Sequence, residues 1–410
     1  MIQLYPHQKE GRDFLLEHKK ACLFFEVGTG KTYTALSAIT MLPKNYRVLI
    51  VAPKRVLDMV WKTEKAFDLS DRDVTYLNYE KISRDKTFAK NTWDCIVLDE
   101  VHKIKGRTTK VSRKFRLVCS RAEYVFGLTG TPVANSYADV YNIFKNMTIN
   151  EFTESYDEFL AKYYYLKSME SSMGFPFYIP IGVRAYKLAE LTQRIGKHSM
   201  TKLAKDCVEL PTAVPPIVVN VAGMNTQKYK EIASGILKTE TYTKTMLQLE
   251  AINKARQAAN GYFYDDYGTA IHFASNAKFE ALKGILEDVF SESDKVIIVY
   301  YFKEDLVTLQ QLTEYTTTTD PADFPNKQIL FLQFGQAEGL NLQYCNQMIF
   351  YTYDYSFLKY EQMCGRIYRN GQVRQVTNYI LVASKTIEEK IWKAIKNKQT
   401  ADEFLKEALS

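Results

Sequence analysis

Residues 22–34 read CLFFEVGTGKTYT. An apolar run ends in a turn of small residues, and helical spacing follows it. After a buried strand of this kind the backbone N–H groups point inward, and the N-terminus of the next helix adds its partial positive charge. The product is a cradle for phosphate oxygens. Small residues belong where the backbone approaches closest, and Gly28 and Gly30, flanking Thr29, occupy those places. Lys31 is placed to reach the β- and γ-phosphates and Thr32 to hold Mg²⁺. The general pattern G-x-x-x-x-G-K-[ST] asks for glycine where this chain has Phe25, and for the fragment alone an ordinary Gly-rich turn is the alternative.

Working outward, short apolar runs recur: ACLFFEV (21–27), RVLIVAP (47–53), DCIVLDE (94–100) and EYVFGLTG (123–130). Such runs separated by helical stretches predict a parallel sheet covered on both faces. The pattern returns in KVIIVYY (295–301), QILFLQF (328–334), QMIFYTY (347–353) and TNYILVA (377–383). Between the blocks the chain is charged and aromatic with helical spacing, and ELPTAVPPIVVNV (209–221) reads as an extended junction. The expected fold is α/β: two parallel-sheet lobes, 1–149 and 276–410, with helical protrusions and a linker over 150–275. In WDCIVLDEVHKIK (93–105) a buried strand ends in Asp99 and Glu100. Asp99 would reach Mg²⁺ directly or through water, and Glu100 is placed to polarise an attacking water. A solvated acidic loop is the alternative for D-E-x-H by itself; both motifs in order, with strands between, argue for a nucleotide site.

Composition narrows the class. Over 410 residues, 46% hydrophobic and 25% charged side chains are ordinary for a globular protein of two or more domains. No apolar run approaches the ~20 residues that span a bilayer, and MIQLYPHQKEGRDF does not read as a signal peptide, so no membrane association is expected. Six cysteines without C-x-x-C pairs read as reduced core thiols of a cytoplasmic protein. His7, His102 and His272 have no metal spacing, and Mg²⁺ is the only metal expected. The formal charge of +7 hints at a polyanionic partner without deciding it.

With these motifs in hand the chain resembles superfamily-2 helicases, and within them the Swi/Snf group of double-stranded DNA translocases. LYPHQKEG (4–11) looks like that group's leading motif, which would put the amide of Gln8 on adenine. Pro53, Trp61 and Glu64 match a P-x-x-x-x-x-x-x-W-x-x-E segment; Trp61 reads as core, with stacking on a base or sugar as the alternative. GLTGTPVANSYADVYNIF (127–144) matches L-T-G-T-P-x-x-N, so the resemblance implies that Thr129 and Thr131 couple the γ-phosphate site to the DNA-binding face. EGLNL (338–342), with Gly339 and Asn341, resembles motif five, and QMCGRIYRNGQ (362–372), with Gln362, resembles motif six. IEEKIW (387–392) looks like the closing helix, and Arg256 and Gln257 read as structural. The loop of these translocases commonly lacks the first glycine, as here. By resemblance the lobes are RecA-like, the substrate is ATP, and the partner is double-stranded or branched DNA. Arg366 and Arg369 are then arginine fingers; three residues apart, they would share a helix face and complete the site only when the cleft closes.

KIKGRTTKVSRKFR (103–116) holds seven basic residues and no acid, which suits a phosphate-tracking surface or a solvated helix face equally. The chain departs from the group at Gln336 and Ala337, where a double glycine is usual, and at Tyr355, Ser356 and Phe357, where W-N-P is usual. Residues 303–334 are short and contain no arginine, giving an abbreviated second lobe and a near-minimal motor of prokaryotic or viral type. The abbreviation bears on processive movement more than on hydrolysis. Three functions follow: an ATP-driven duplex DNA translocase, favoured by the motifs; a helicase that separates strands of DNA or RNA; and a nucleotide-gated clamp.

Overall fold

The computed structural model describes residues 3–399 and Phe404, apart from 66, 131–136, 171–175, 208, 209, 213, 225 and 239–242. The chain divides into two units, Met1–Val208 and Glu209–Ser410. Each is built on a six-stranded sheet with every pairing parallel.

In the first unit the strands lie in the order Val74–Leu77, Val48–Val51, Cys95–Asp99, Tyr124–Thr129, Lys20–Phe25, Ser199–Lys202. Side chains alternate between faces, and both faces are covered. Cys22, Phe24, Ile96 and Leu98 enter one core; Ala21, Leu23, Phe25 and Val97 enter the other. Each such burial contributes roughly 1.5–3 kcal/mol for a large aliphatic or aromatic side chain. The second unit repeats the plan in the order Thr317–Thr318, Ile329–Gln333, Val296–Tyr300, Gln347–Phe350, Thr377–Ala383, Ile217–Val221. Ile297, Val299, Leu330 and Leu332 face one core there, and Val296, Ile298, Ile329 and Phe331 the other.

All eight apolar runs are strands. The four strands of these two sheets that the sequence reading did not find are their four edges. An edge strand pairs on one side only and lies half in solvent, so its apolar signal is diluted: none of Val74–Leu77 is fully buried, and Ile217 is 47% exposed. Two of these edges, Ser199–Lys202 and Ile217–Val221, come from the middle stretch. The helices described in that stretch are Tyr156–Tyr163, Leu188–Gly196, Gln227–Ala233 and Gln248–Ala258, with short turns at Ala185–Lys187 and Ala204–Cys207. Between them run three antiparallel ribbons that helical spacing did not suggest, the longest pairing Tyr164–Glu170 with Pro176–Val183. Among the described residues no helix is long and apolar enough to cross a membrane.

Candidate nucleotide site

Parallel strands end on the same edge of a sheet, and ligands of open α/β folds bind beyond those ends. In the first unit this brings together the ends of Lys20–Phe25, Cys95–Asp99 and Tyr124–Thr129, which are level: Phe24 pairs with Thr129 and Asp99 with Leu128. The loop after the first of these strands turns on Gly28 (φ 89°) and Gly30 (φ 84°), and Gly30 caps the helix Lys31–Met41. Lys31 Nζ donates to the carbonyls of Phe25 (2.8 Å) and Glu26 (3.2 Å). A Cβ placed on Gly130 would lie 3.5 Å from that Nζ, so Lys31 sits between its own loop and the turn after Thr129.

Phe25 does not obstruct the loop. Its ring is fully buried in the core below, close enough to touch a Cβ added at Gly11 (2.8 Å), and its carbonyl accepts the Lys31 ammonium. As the last strand residue, Phe25 points its side chain away from the loop, which is why the glycine can be dispensed with. From the helix Pro6–His18, Gln8 Nε2 donates to the Thr29 carbonyl (3.2 Å), and His7 Nε2 lies 2.8 Å from the same oxygen. Thr29 is itself buried, and its hydroxyl donates to the Glu26 carbonyl (2.8 Å). Thr32 occupies the first turn of the helix that Gly30 caps.

Asp99 is buried, and both of its carboxylate oxygens are held. Trp61 Nε1 donates to Oδ2 (2.8 Å) and the Glu100 amide to Oδ1 (3.0 Å). Burial, then the neighbouring Glu100 carboxylate, pushes the Asp99 carboxyl above the usual range, against the pull of the Trp61 hydrogen bond and the Lys31 charge. Glu100 takes the left-handed conformation (φ 54°, ψ 52°), a strain of roughly 1–2 kcal/mol of the kind that gathers at functional sites. His102 Nδ1 lies 3.3 Å from Glu100 Oε2 and 3.3 Å from the hydroxyl of the fully buried Thr129. Thr131 lies outside the described residues.

In the second unit Arg366 and Arg369 do not share a helix face, as their spacing had suggested. The helix Phe357–Cys364 carries Gln362 and stops before Gly365; both arginines lie in the turns that follow, with Ile367 drawn fully into the core. Arg369 Nη1 donates to the Leu340 carbonyl (3.1 Å) and to Asn341 Oδ1 (2.5 Å), while the Leu342 amide donates to the Arg366 carbonyl (3.1 Å). The 338–342 and 362–372 motifs are thus knitted into one cluster, with Gly339 at φ 76° shaping the loop between. Burial first, and then the Arg366 charge, lower the Arg369 guanidinium to about 10, so it stays charged at neutral pH. A charged guanidinium held this way, with the Arg366 charge close enough to act on it, is set up to receive an anion. Arg256 is buried, donates to the Tyr353 carbonyl (3.0 Å) and lies over the Tyr301 ring (4.3 Å), as its structural reading expected.

The basic stretch divides. Lys105 pairs with Asp139, Arg107 lies over Tyr156 (4.8 Å), and Arg116 donates to Asn146. Lys114 Nζ donates to the carbonyls of Ile82, Ser83 and Asp85. Lys103, Lys110 and Arg113 are exposed. Sequence reasoning missed three contributors: His7, Glu26 and His102. Glu26 links the loop to the far edge strand, because its amide donates to the Lys202 carbonyl (2.9 Å) and its Oε2 accepts from the Ala204 amide (2.6 Å). The only signal for His102 was its place in D-E-x-H.

Residues 65–263 match the family model described as SNF2-related domain, and residues 1–70 match that of the type III restriction enzyme res subunit. The ISWI chromatin-remodeling complex ATPase ISW1 of Saccharomyces cerevisiae is 24% identical over 98% of this chain and 40% of its own length. In Bacillus subtilis, the putative ATP-dependent helicase/translocase YwqA is 24% identical over 98% of this chain and 48% of its own, and the uncharacterized ATP-dependent helicase YqhH is 23% identical over 96% and 78%. The chain therefore spans less than half the length of ISW1 and YwqA. A solved SWI2/SNF2 ATPase core of Sulfolobus solfataricus, in complex with dsDNA, aligns with a TM-score of 0.44 at 21% identity, covering 99% of this chain and 92% of that one. Over nearly its whole length, the chain resembles the Swi/Snf-type group of superfamily-2 helicase-like ATPases.

Proposed function

We propose that this chain is an ATP-driven motor that couples hydrolysis to movement along double-stranded DNA. The observation that carries the reading is the meeting of Lys31, Asp99, Glu100 and Thr129 at one sheet edge around a loop turned by Gly28 and Gly30. The loop amides and Lys31 hold the phosphates, and Gln8, beside the loop, receives adenine. Lys31 leaves the Phe25 and Glu26 carbonyls to do so, exchanging neutral acceptors for charged ones.

Asp99 and the Thr32 hydroxyl offer the hard oxygen donors that Mg²⁺ prefers, and the ionised Asp99 carboxylate, disfavoured by burial and Glu100, is the form that a nearby cation would restore. A divalent cation held by these two residues would supply positive charge to the bound phosphates. Glu100 takes a proton from the attacking water, with His102 Nδ1 lying 3.3 Å from its Oε2 and 3.3 Å from the Thr129 hydroxyl. Arg366 and Arg369 offset the charge that spreads over the transferring phosphoryl group. The relatives, which are ATP-dependent helicases, translocases and chromatin-remodeling ATPases by name, support the same reading.

The test is ATP turnover with no polynucleotide, with single strands, and with linear or branched duplex, using Glu100→Gln as the blank. Duplex should stimulate turnover well above single strands, and the blank should bind ATP without turning it over. Stimulation by single strands alone would make the chain a strand-separating helicase, and absence of turnover would make it a clamp.

A further inference from the structure

Trp61 is 2% exposed, and its indole N–H donates to Asp99 Oδ2 at 2.8 Å. The turn that carries it, Leu57–Trp61, is π-helical: the Lys62 amide reaches back to the Leu57 carbonyl (3.0 Å). Such wide turns are rare, insert one residue, and occur mostly at functional sites. An ordinary α-turn would rotate Trp61 by roughly 100° about the helix axis and carry the N–H away from Asp99. With the Glu100 amide on Oδ1 and the Tyr79 hydroxyl on the Asp99 carbonyl (2.7 Å), the residue is clamped at three oxygens, by two other segments and by the amide that follows it. Indole is a rigid ring with one donor and no acceptor, so it fixes the direction of a carboxylate without competing for a cation. Packing alone would be served by phenylalanine; the N–H is the part that core formation does not need.

We propose that Trp61 is a positioning residue that orients the Asp99 carboxylate for the divalent cation, which rests on the reading of Asp99 as a metal ligand. Groups that hold a metal ligand in place commonly set metal affinity as well as geometry. The test uses Mn²⁺ binding to the whole protein saturated with ADP, followed by electron paramagnetic resonance, in the native chain, Trp61→Phe and Asp99→Asn. Trp61→Phe should weaken Mn²⁺ by ~10-fold or more while ADP affinity in the absence of metal stays within about twofold. A second measurement reads the native Trp61 itself. In native protein labelled with ¹⁵N-tryptophan, Mg²⁺ added to the ADP complex should shift the Trp61 indole N–H resonance, assigned by elimination through Trp93→Phe and Trp392→Phe. Native-like Mn²⁺ affinity in Trp61→Phe, or a Trp61 resonance unmoved at saturating Mg²⁺, overturns the proposal. If Asp99→Asn also binds Mn²⁺ like the native chain, the metal-ligand reading of Asp99 falls with it.

Discussion

Phe25 and Gly30 show how narrowly the loop before Lys31 constrains single residues. Phe25 can be large because its side chain belongs to the sheet and only its carbonyl belongs to the loop. Gly30 has no such freedom. Its φ of 84° costs a non-glycine residue roughly 1–2 kcal/mol, and a Cβ there would come within 2.1 Å of Gln8 Nε2. Gly30→Ala should therefore lower affinity for a fluorescent ATP analogue by ~10-fold or more, since 1.4 kcal/mol is tenfold in binding. Adding Gln8→Ala should return only the steric share, because the backbone strain remains. Native affinity in the single variant would mean that the loop does not receive the nucleotide. The glycines and the lysine could be read from the sequence because they answer to local backbone geometry. His102 could not, because its partner Thr129 lies on another strand.

The helix Lys110–Cys119 turns Phe115, Val118 and Cys119 inward and Lys110 and Arg113 outward. A basic run gives no sign of which charges are committed to the fold; the neighbouring helix decides. Lys114 closes the end of Tyr79–Arg84 by donating to three carbonyls that the helix leaves without partners of its own. Lys114→Ala should destabilise the chain by about 1–3 kcal/mol in denaturant titration, the range for a charge-assisted hydrogen bond. Lys110→Ala with Arg113→Ala should leave stability within about 0.5 kcal/mol. If this face tracks DNA, the pair should also lower the slope of log affinity against log salt by up to about 2. An unchanged slope would assign these residues to a merely solvated face.

Among the described residues every apolar core cluster falls within one of the two units, so each unit has its own stability. In the second, fully buried Lys278 pairs with Glu388, while Asn260 Oδ1 and the Ala383 amide complete their hydrogen bonds. Burial lowers the Lys278 ammonium despite that partner. Lys278→Met should thus leave a stranded carboxylate and cost ~3–5 kcal/mol, while Lys278→Met with Glu388→Leu should cost far less. Calorimetry should show the single variant moving one of two unfolding transitions; a single transition that moves as a whole would show that the units unfold together. At this scale the limits of a sequence are physical. Buried central strands write themselves as apolar runs because both faces are covered, and phosphate loops write themselves as glycines because backbone must approach ligand; those two features made the α/β class and the candidate nucleotide site legible. Edge strands, the end of the helix before Arg366, the partners of Lys114 and the indole that holds Asp99 were decided only by tertiary structure. Each depends on groups far apart in the chain, and no local pattern records which distant partner will satisfy a given charge or N–H.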